Sequence, residues 1–161
     1  GTTVDIGTIL TSQCTRAALA APSRKRALQA ASELLASNQL DGSTPISARL
    51  LFDELMSRER LGSTGLGDGV AIPHCRMPCK EIQAAFLHLA QGVDFDAIDG
   101  QSVDLLFVLV VPTDDNTAHL EILANLARVF SNPDNRATLR GAKSDAQLFE
   151  VMAGLCSSEA T

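Results

Sequence analysis

The chain has 161 residues, of which 45% are hydrophobic, with six phenylalanines and neither tryptophan nor tyrosine. That is apolar material for one core, so a single domain over 1–161, with its core at about 8–156, is expected. The formal charge of −6 and the lack of aromatic platforms count against nucleic acid and acidic membrane surfaces, and favour a partner with a basic face. The longest unbroken apolar run, Leu105–Val111, is far shorter than the roughly 20 residues of a membrane helix. No charged-then-apolar leader opens the sequence, and a cytoplasmic protein is expected. Cys14, Cys75, Cys79 and Cys156 form no compact framework and read as reduced thiols.

Along the chain, Arg16–Ala21 is short and apolar enough for a strand, although alanine is a poor strand former. With Ser23 as cap, Ala27, Leu28, Ala31, Leu34 and Leu35 recur at helical spacing until Asn38–Gly42 breaks the pattern. A second helix is predicted with Thr44 as cap, Pro45 in the first helical position, Leu51, Phe52, Leu55 and Met56 on one face, and Gly62 as terminator. Arg58 falls in its last turn. Strands are predicted at about Ser63–Leu66, Val70–Ile72, Gln83–Ala90 and Leu105–Val111, the last buried on both faces. His88 lies within the third of these and reads as a solvent-face residue.

After Pro112 and a polar turn over Thr113–Thr117, a helix capped by Asn116 or Thr117 carries Leu120, Leu123, Ala124, Ala127 and Phe130 as its apolar stripe, with His119 in the first turn. Asn132-Pro133-Asp134 starts a short helix to Leu139, and Ser144-Asp145-Ala146-Gln147 is a capping box opening the last one. Such alternation predicts an α/β fold, with helices on both faces of a mostly parallel or mixed sheet.

The segment Gly62–Arg76, GSTGLGDGVAIPHCR, concentrates the chemistry. It lacks the Lys-Ser/Thr of a phosphate loop and the last glycine of a dinucleotide fingerprint. A zinc site could use His74, Cys75 and Cys79 with His119 or His88, but no second ligand pair has a customary spacing. Cys75 could be a nucleophile with His119 as base, yet no cysteine-hydrolase signature surrounds it. There remains His74 itself, held at a strand end by Pro73. A nucleophilic histidine needs one bare ring nitrogen, a partner fixing its tautomer, and cations for arriving phosphate charge. A backbone carbonyl of the glycine loop could fix the ring, while Arg58 supplies a fork of donors and His119 stands at a helix N-terminus.

The run Arg58–His74, RERLGSTGLGDGVAIPH, resembles the phosphorylation motif REKxGSTGxGxGxAxPH of the fructose/mannitol-type enzyme IIA domains of the bacterial phosphotransferase system, most closely the nitrogen-regulatory branch. The resemblance continues through Phe95–Phe107 and Thr117–Leu120 and covers most of the chain. It implies a mixed, roughly five-stranded sheet sandwiched by helices. It also implies that His74 is phosphorylated on Nε2 by an HPr-like carrier, that His119 is the second active-site histidine, and that Arg58 lies near the phosphoryl group. Asp68 occupies a position that is often acidic or amide in relatives. No metal or other cofactor is implied. Leu66, Val70 and Ile72 are the expected apolar contacts for the carrier. The family commonly has glycine where Cys75 stands, so the thiol either fills a permissive turn or acts as an oxidisable gate. Downstream, the nitrogen branch signals by binding targets such as potassium-transport or sensor-kinase proteins, whereas a sugar-transport IIA donates to a IIB domain. With no IIB or membrane segment in the sequence, regulation is the expected role. The alternatives are sugar transport and a binding module that has lost phosphorylation.

Overall fold

The structure, a computed structural model, describes residues 6–39 and 45–160, the side chains of 158–160 excepted. In chain order the elements are α1 (Ile6–Ile9), β1 (Leu10–Leu19), α2 (Arg24–Ser37), α3 (Ala48–Leu61), β2 (Gly65–Gly67), β3 (Val70–Ala71), β4 (His74–Met77), β5 (Gln83–Val93), β6 (Val103–Pro112), α4 (Ala118–Ser131), α5 (Pro133–Arg140) and α6 (Asp145–Ala160). The sheet is mixed and ordered β1-β5-β6-β3-β2, with β4 also paired to β6.

β6 is the spine. Its side chains alternate between faces with period two, so Leu105, Phe107, Leu109 and Val111 pack with Phe86, Ile122, Leu126 and Met152, while Leu106, Val108 and Val110 pack with Leu28, Leu35, Leu51 and Leu55. Helices α4 and α6 thus cover one face, and α2 and α3 the other. The apolar run Leu105–Val111 is buried throughout, as a strand with two covered faces must be.

Among the described residues the sheet has six strands rather than about five, and the extra one matters most. β3 and β4 lie end to end along one edge of β6, in parallel register, with Val70 opposite Leu105, Ala71 opposite Leu106 and His74 opposite Leu109. Pro73 interrupts the strand because it has no N–H to donate, yet its carbonyl still accepts from Leu109 N–H at 2.9 Å. His74 therefore opens a strand instead of ending one.

Other expectations shift. β1 begins at Leu10, upstream of the predicted Arg16, and stops before the alanine pair. Thr44 lies outside the described residues. The side chain capping α3 is Ser47, which accepts from Leu50 N–H at 3.3 Å, and Pro45 precedes the helix. α5 starts at Asn132-Pro133 as expected, with Asn132 Oδ1 as its cap, accepting from Asp134 N–H at 2.9 Å. At α6, Ser144 Oγ accepts from Gln147 N–H, but the glutamine reaches back to Lys143 N–H, one residue before the predicted partner.

α4 is turned relative to the prediction: Ile122, Leu126, Val129 and Phe130 are buried, and Leu120 is 55% exposed. His88 is not a solvent-face residue, since its side chain is only 14% exposed and Nε2 lies 3.5 Å from Asp104. Cys14, Cys75 and Cys79 are free thiols, and no described helix is long and apolar enough to cross a membrane.

Asp104 also receives the Arg140 guanidinium fork at 2.9–3.2 Å. Burial alone would raise its pKa, but the contacts with His88 and Arg140 outweigh it and hold the carboxyl below the usual carboxylate range. A depressed native pKa stabilises the fold above the unfolded pKa, and that contribution vanishes as pH falls through the native value. Asp104→Asn should lower stability at pH 7 by ~1–3 kcal/mol. In urea melts the gap to wild type should close below about pH 4.

Candidate functional site

The break in the β3–β4 edge brings His74 back toward Ile72, with Nδ1 3.1 Å from the Ile72 carbonyl oxygen. A carbonyl only accepts, so Nδ1 carries the proton and Nε2 keeps its lone pair. The partner fixing the ring is thus the last residue of the apolar run, not a carbonyl among the glycines.

Two cavities meet at His74 and Arg58. One, of about 390 Å³, also draws on Glu54, Leu61, Arg76 and His119. The other, of about 410 Å³, is bounded by Ser63, Thr64, Leu66, Leu123, Ala124 and Ala127. Arg58 comes from the last turn of α3, where its Nη1 donates to Gly62 O at 2.8 Å and leaves the rest of the fork for the cavities. His74, Arg58 and His119, far apart in the chain, are therefore brought together.

His119 stands in the first turn of α4. Its Nδ1 lies 2.7 Å from Asp115 Oδ2, and the same oxygen accepts the His119 backbone N–H at 3.2 Å. Asp115 thus supplies the first-turn acceptor expected of Asn116 or Thr117, and Thr117, at the cap position, makes no side-chain cap bond. The bond from His119 chiefly holds the Asp115 carboxyl below its usual range. With Nδ1 engaged, Nε2 is the nitrogen left for a ligand, and the carboxylate behind the ring fixes its orientation. Arg76, two residues after His74, pins this loop by donating from Nη1 to Pro112 O at 3.0 Å and Asp115 O at 2.8 Å. Sequence reasoning missed both Arg76 and Asp115, although a carboxylate four residues before His119, at a helix start, was a readable signal.

Several predicted residues lie elsewhere. Asp68, at φ 58° in the β2–β3 turn, lines neither cavity; its N–H donates to Asp99 and its carbonyl accepts from Arg140. Gly69 beside it, at φ 80°, approaches Arg140 so closely that a Cβ would lie 2.5 Å from Nη2. Of the three predicted docking residues, Val70 is 1% exposed and packed in the core, Ile72 is 4% exposed but borders the second cavity, and Leu66 is exposed. Leu123, Ala124 and Ala127 of α4, part of the stripe read as core, border the same cavity. His74, Cys75 and His119 border the first cavity while Cys79 and His88 do not, and the described residues contain no cluster of ligands able to hold a metal.

Residues 8–154 match the family described as phosphoenolpyruvate-dependent sugar phosphotransferase system, EIIA 2. The chain belongs to this family and is a IIA-type component of a phosphotransferase system. It is 38% identical over 153 residues to the nitrogen regulatory protein of Escherichia coli K12, covering 94% of this chain and 91% of that one. The crystal structure of nitrogen regulatory protein IIA-Ntr from Neisseria meningitidis superimposes with a TM-score of 0.82 at 38% identity, covering 91% of this chain and 98% of that one. The fold is also that of Escherichia coli enzyme IIA for mannitol, solved in complex with phosphorylated enzyme IIB, at TM-score 0.72 and 17% identity over 91% and 99% of the two chains.

Cys75 is 8% exposed and packs into the α2–α3 core. Burial, with smaller contributions from Glu54 and Cys79, pushes its thiol up to about 12. The thiolate is the reactive species, so neither a cysteine nucleophile nor an oxidisable gate suits this thiol. Iodoacetamide at pH 8 should leave Cys75 unmodified in the folded protein and label it in urea, as read by peptide mass spectrometry.

Proposed function

We propose that this chain is a phosphohistidine relay and regulatory protein of a nitrogen-related phosphotransferase system, working in the cytoplasm. His74 Nε2 attacks the phosphorus of a phosphohistidine on an HPr-like carrier. The new Nε2–P bond forms as the carrier's P–N bond breaks, and the electron pair returns to the carrier imidazole. Arg58 and the Nε2 side of His119 meet the transferred oxygens, whose charge is the main thing such a reaction must accommodate. The observation carrying this reading is the His74 Nδ1–H bond to Ile72 O at 3.1 Å, which leaves Nε2 nucleophilic in a cavity shared with Arg58 and His119.

The carrier has an apolar landing face. Leu61, Leu66 and Leu120 are 85%, 54% and 55% exposed, and they flank the α4 stripe that reaches the cavity. That the relatives at 38% identity are nitrogen regulatory proteins favours signalling, through partners such as potassium-transport or sensor-kinase proteins, over donation to a IIB domain.

Incubated with phosphoenolpyruvate, enzyme I and the carrier, the intact protein should gain one phosphoryl mass, and His74→Ala should gain none; no gain by the wild type would refute the relay. His119→Ala should slow transfer roughly 100-fold while leaving the circular dichroism spectrum unchanged. Leu120→Asp should raise KM for the carrier with kcat retained, because it touches docking and not the phosphoryl group.

A further inference from the structure

We infer that Glu59 is a positioning residue that sets the tautomer of His74, acting through Thr64 and Ile72; this rests on the relay reading for its consequence but not for its geometry. Glu59 lies in the last turn of α3 beside Arg58, and its side chain is only 2% exposed. One carboxylate oxygen accepts the hydroxyl of Thr64, itself buried. The other faces Arg24 Nη1 at 3.4 Å. The Thr64 carbonyl accepts Ile72 N–H at 3.1 Å, and the Ile72 carbonyl faces His74 Nδ1, also at 3.1 Å. Three hydrogen bonds thus join a buried carboxylate to the imidazole, each with its donor on the His74 side.

What passes along this chain is position. The N–H and C=O of Ile72 belong to different peptide groups joined through Cα, so fixing the first fixes where the second points. Ile72 needs such an anchor because the strand breaks immediately after it, at Pro73. Its N–H bond to Thr64 lies one step past the last paired residues of the hairpin, Gly65 and Ala71. Thr64 in turn follows a turn out of α3, where only side chains can hold it. On one side Ser63 Oγ donates to Phe95 O, and on the other Thr64 is seated on Glu59.

A buried carboxylate paired with one cation contributes little net stability, since desolvation offsets the attraction. Its use here is as a fixed acceptor for one hydroxyl. Arg24 also reaches Asp96 at 3.2 Å and lies 5.7 Å from the centre of the Phe95 ring, so the cation that steadies Glu59 is held at two further points.

The test compares Thr64→Val, which removes the hydroxyl and keeps the branched shape, with Thr64→Ser, which keeps the hydroxyl. Imidazole nitrogen NMR reads the tautomer of His74, and single-turnover transfer from the phosphorylated carrier reads the rate. Thr64→Val should show a mixture of tautomers and a transfer rate reduced about 10- to 100-fold, with KM for the carrier unchanged. Thr64→Ser should restore both, and Glu59→Met should repeat the effect from the other end. A folded Thr64→Val or Glu59→Met with the wild-type tautomer would overturn the proposal. Loss of the fold in both would also overturn it, making the pair a stability element. The tautomer is read without any phosphoryl donor, so a wild type that accepts no phosphoryl group would refute the relay and leave this comparison standing.

Discussion

One hydrogen bond, from His74 Nδ1 to the carbonyl of Ile72, organises the chemistry. A free imidazole divides its proton between two nitrogens, and whichever is bare does the attacking. By engaging Nδ1 with a group that can only accept, the backbone assigns nucleophilicity to Nε2. The bond exists because Pro73 interrupts an edge strand without ending it. The chain leaves β6 for one step and rejoins it in register, and the side chain of the residue after the proline folds back on the carbonyl before it.

That small departure is tolerable because everything around it is stiff. β6 is packed on both faces, and α3 and α4, which deliver Arg58 and His119, rest on opposite sides of the same sheet. Arg58, His74 and His119 are thus assembled by two independent layers meeting at one edge. In a chain of formal charge −6, Arg58 and Arg76 outnumber the one carboxylate, Glu54, among the residues lining the first His74 cavity, which gives it a local sign opposite to the whole. Such a cavity favours an anion.

Much of this was legible in residues. The Leu105–Val111 run, the Ser23 cap, the Asn132-Pro133 helix start and the glycine-rich motif ending in His74 each carry a local physical requirement that the fold meets. The failures share a cause, which is that a local pattern does not say which of two possible neighbours it will meet. α4 is apolar on two adjacent stripes, so periodicity identified a helix but not which stripe would face the sheet; the one left over borders the cavity. His88 looked like an outward residue because alternation cannot foresee Asp104 and Arg140 arriving from other elements to cover it. The supports of the site, Asp115 behind His119 and Glu59 beneath Thr64, are ordinary acidic residues whose meaning appears only once their partners are in place.

β4 has β6 on one side and, among the described strands, none on the other, whereas β3 just before it is flanked by β2. The cavity bounded by Ser63, Thr64 and Leu66 therefore occupies the berth a longer hairpin would have filled. How far this cavity opens beside the His74 ring is set by how soon one short ribbon turns aside. Adding a rung to that ribbon would close it with main chain, and removing one would widen it, while Arg58, His74 and His119 stayed in place.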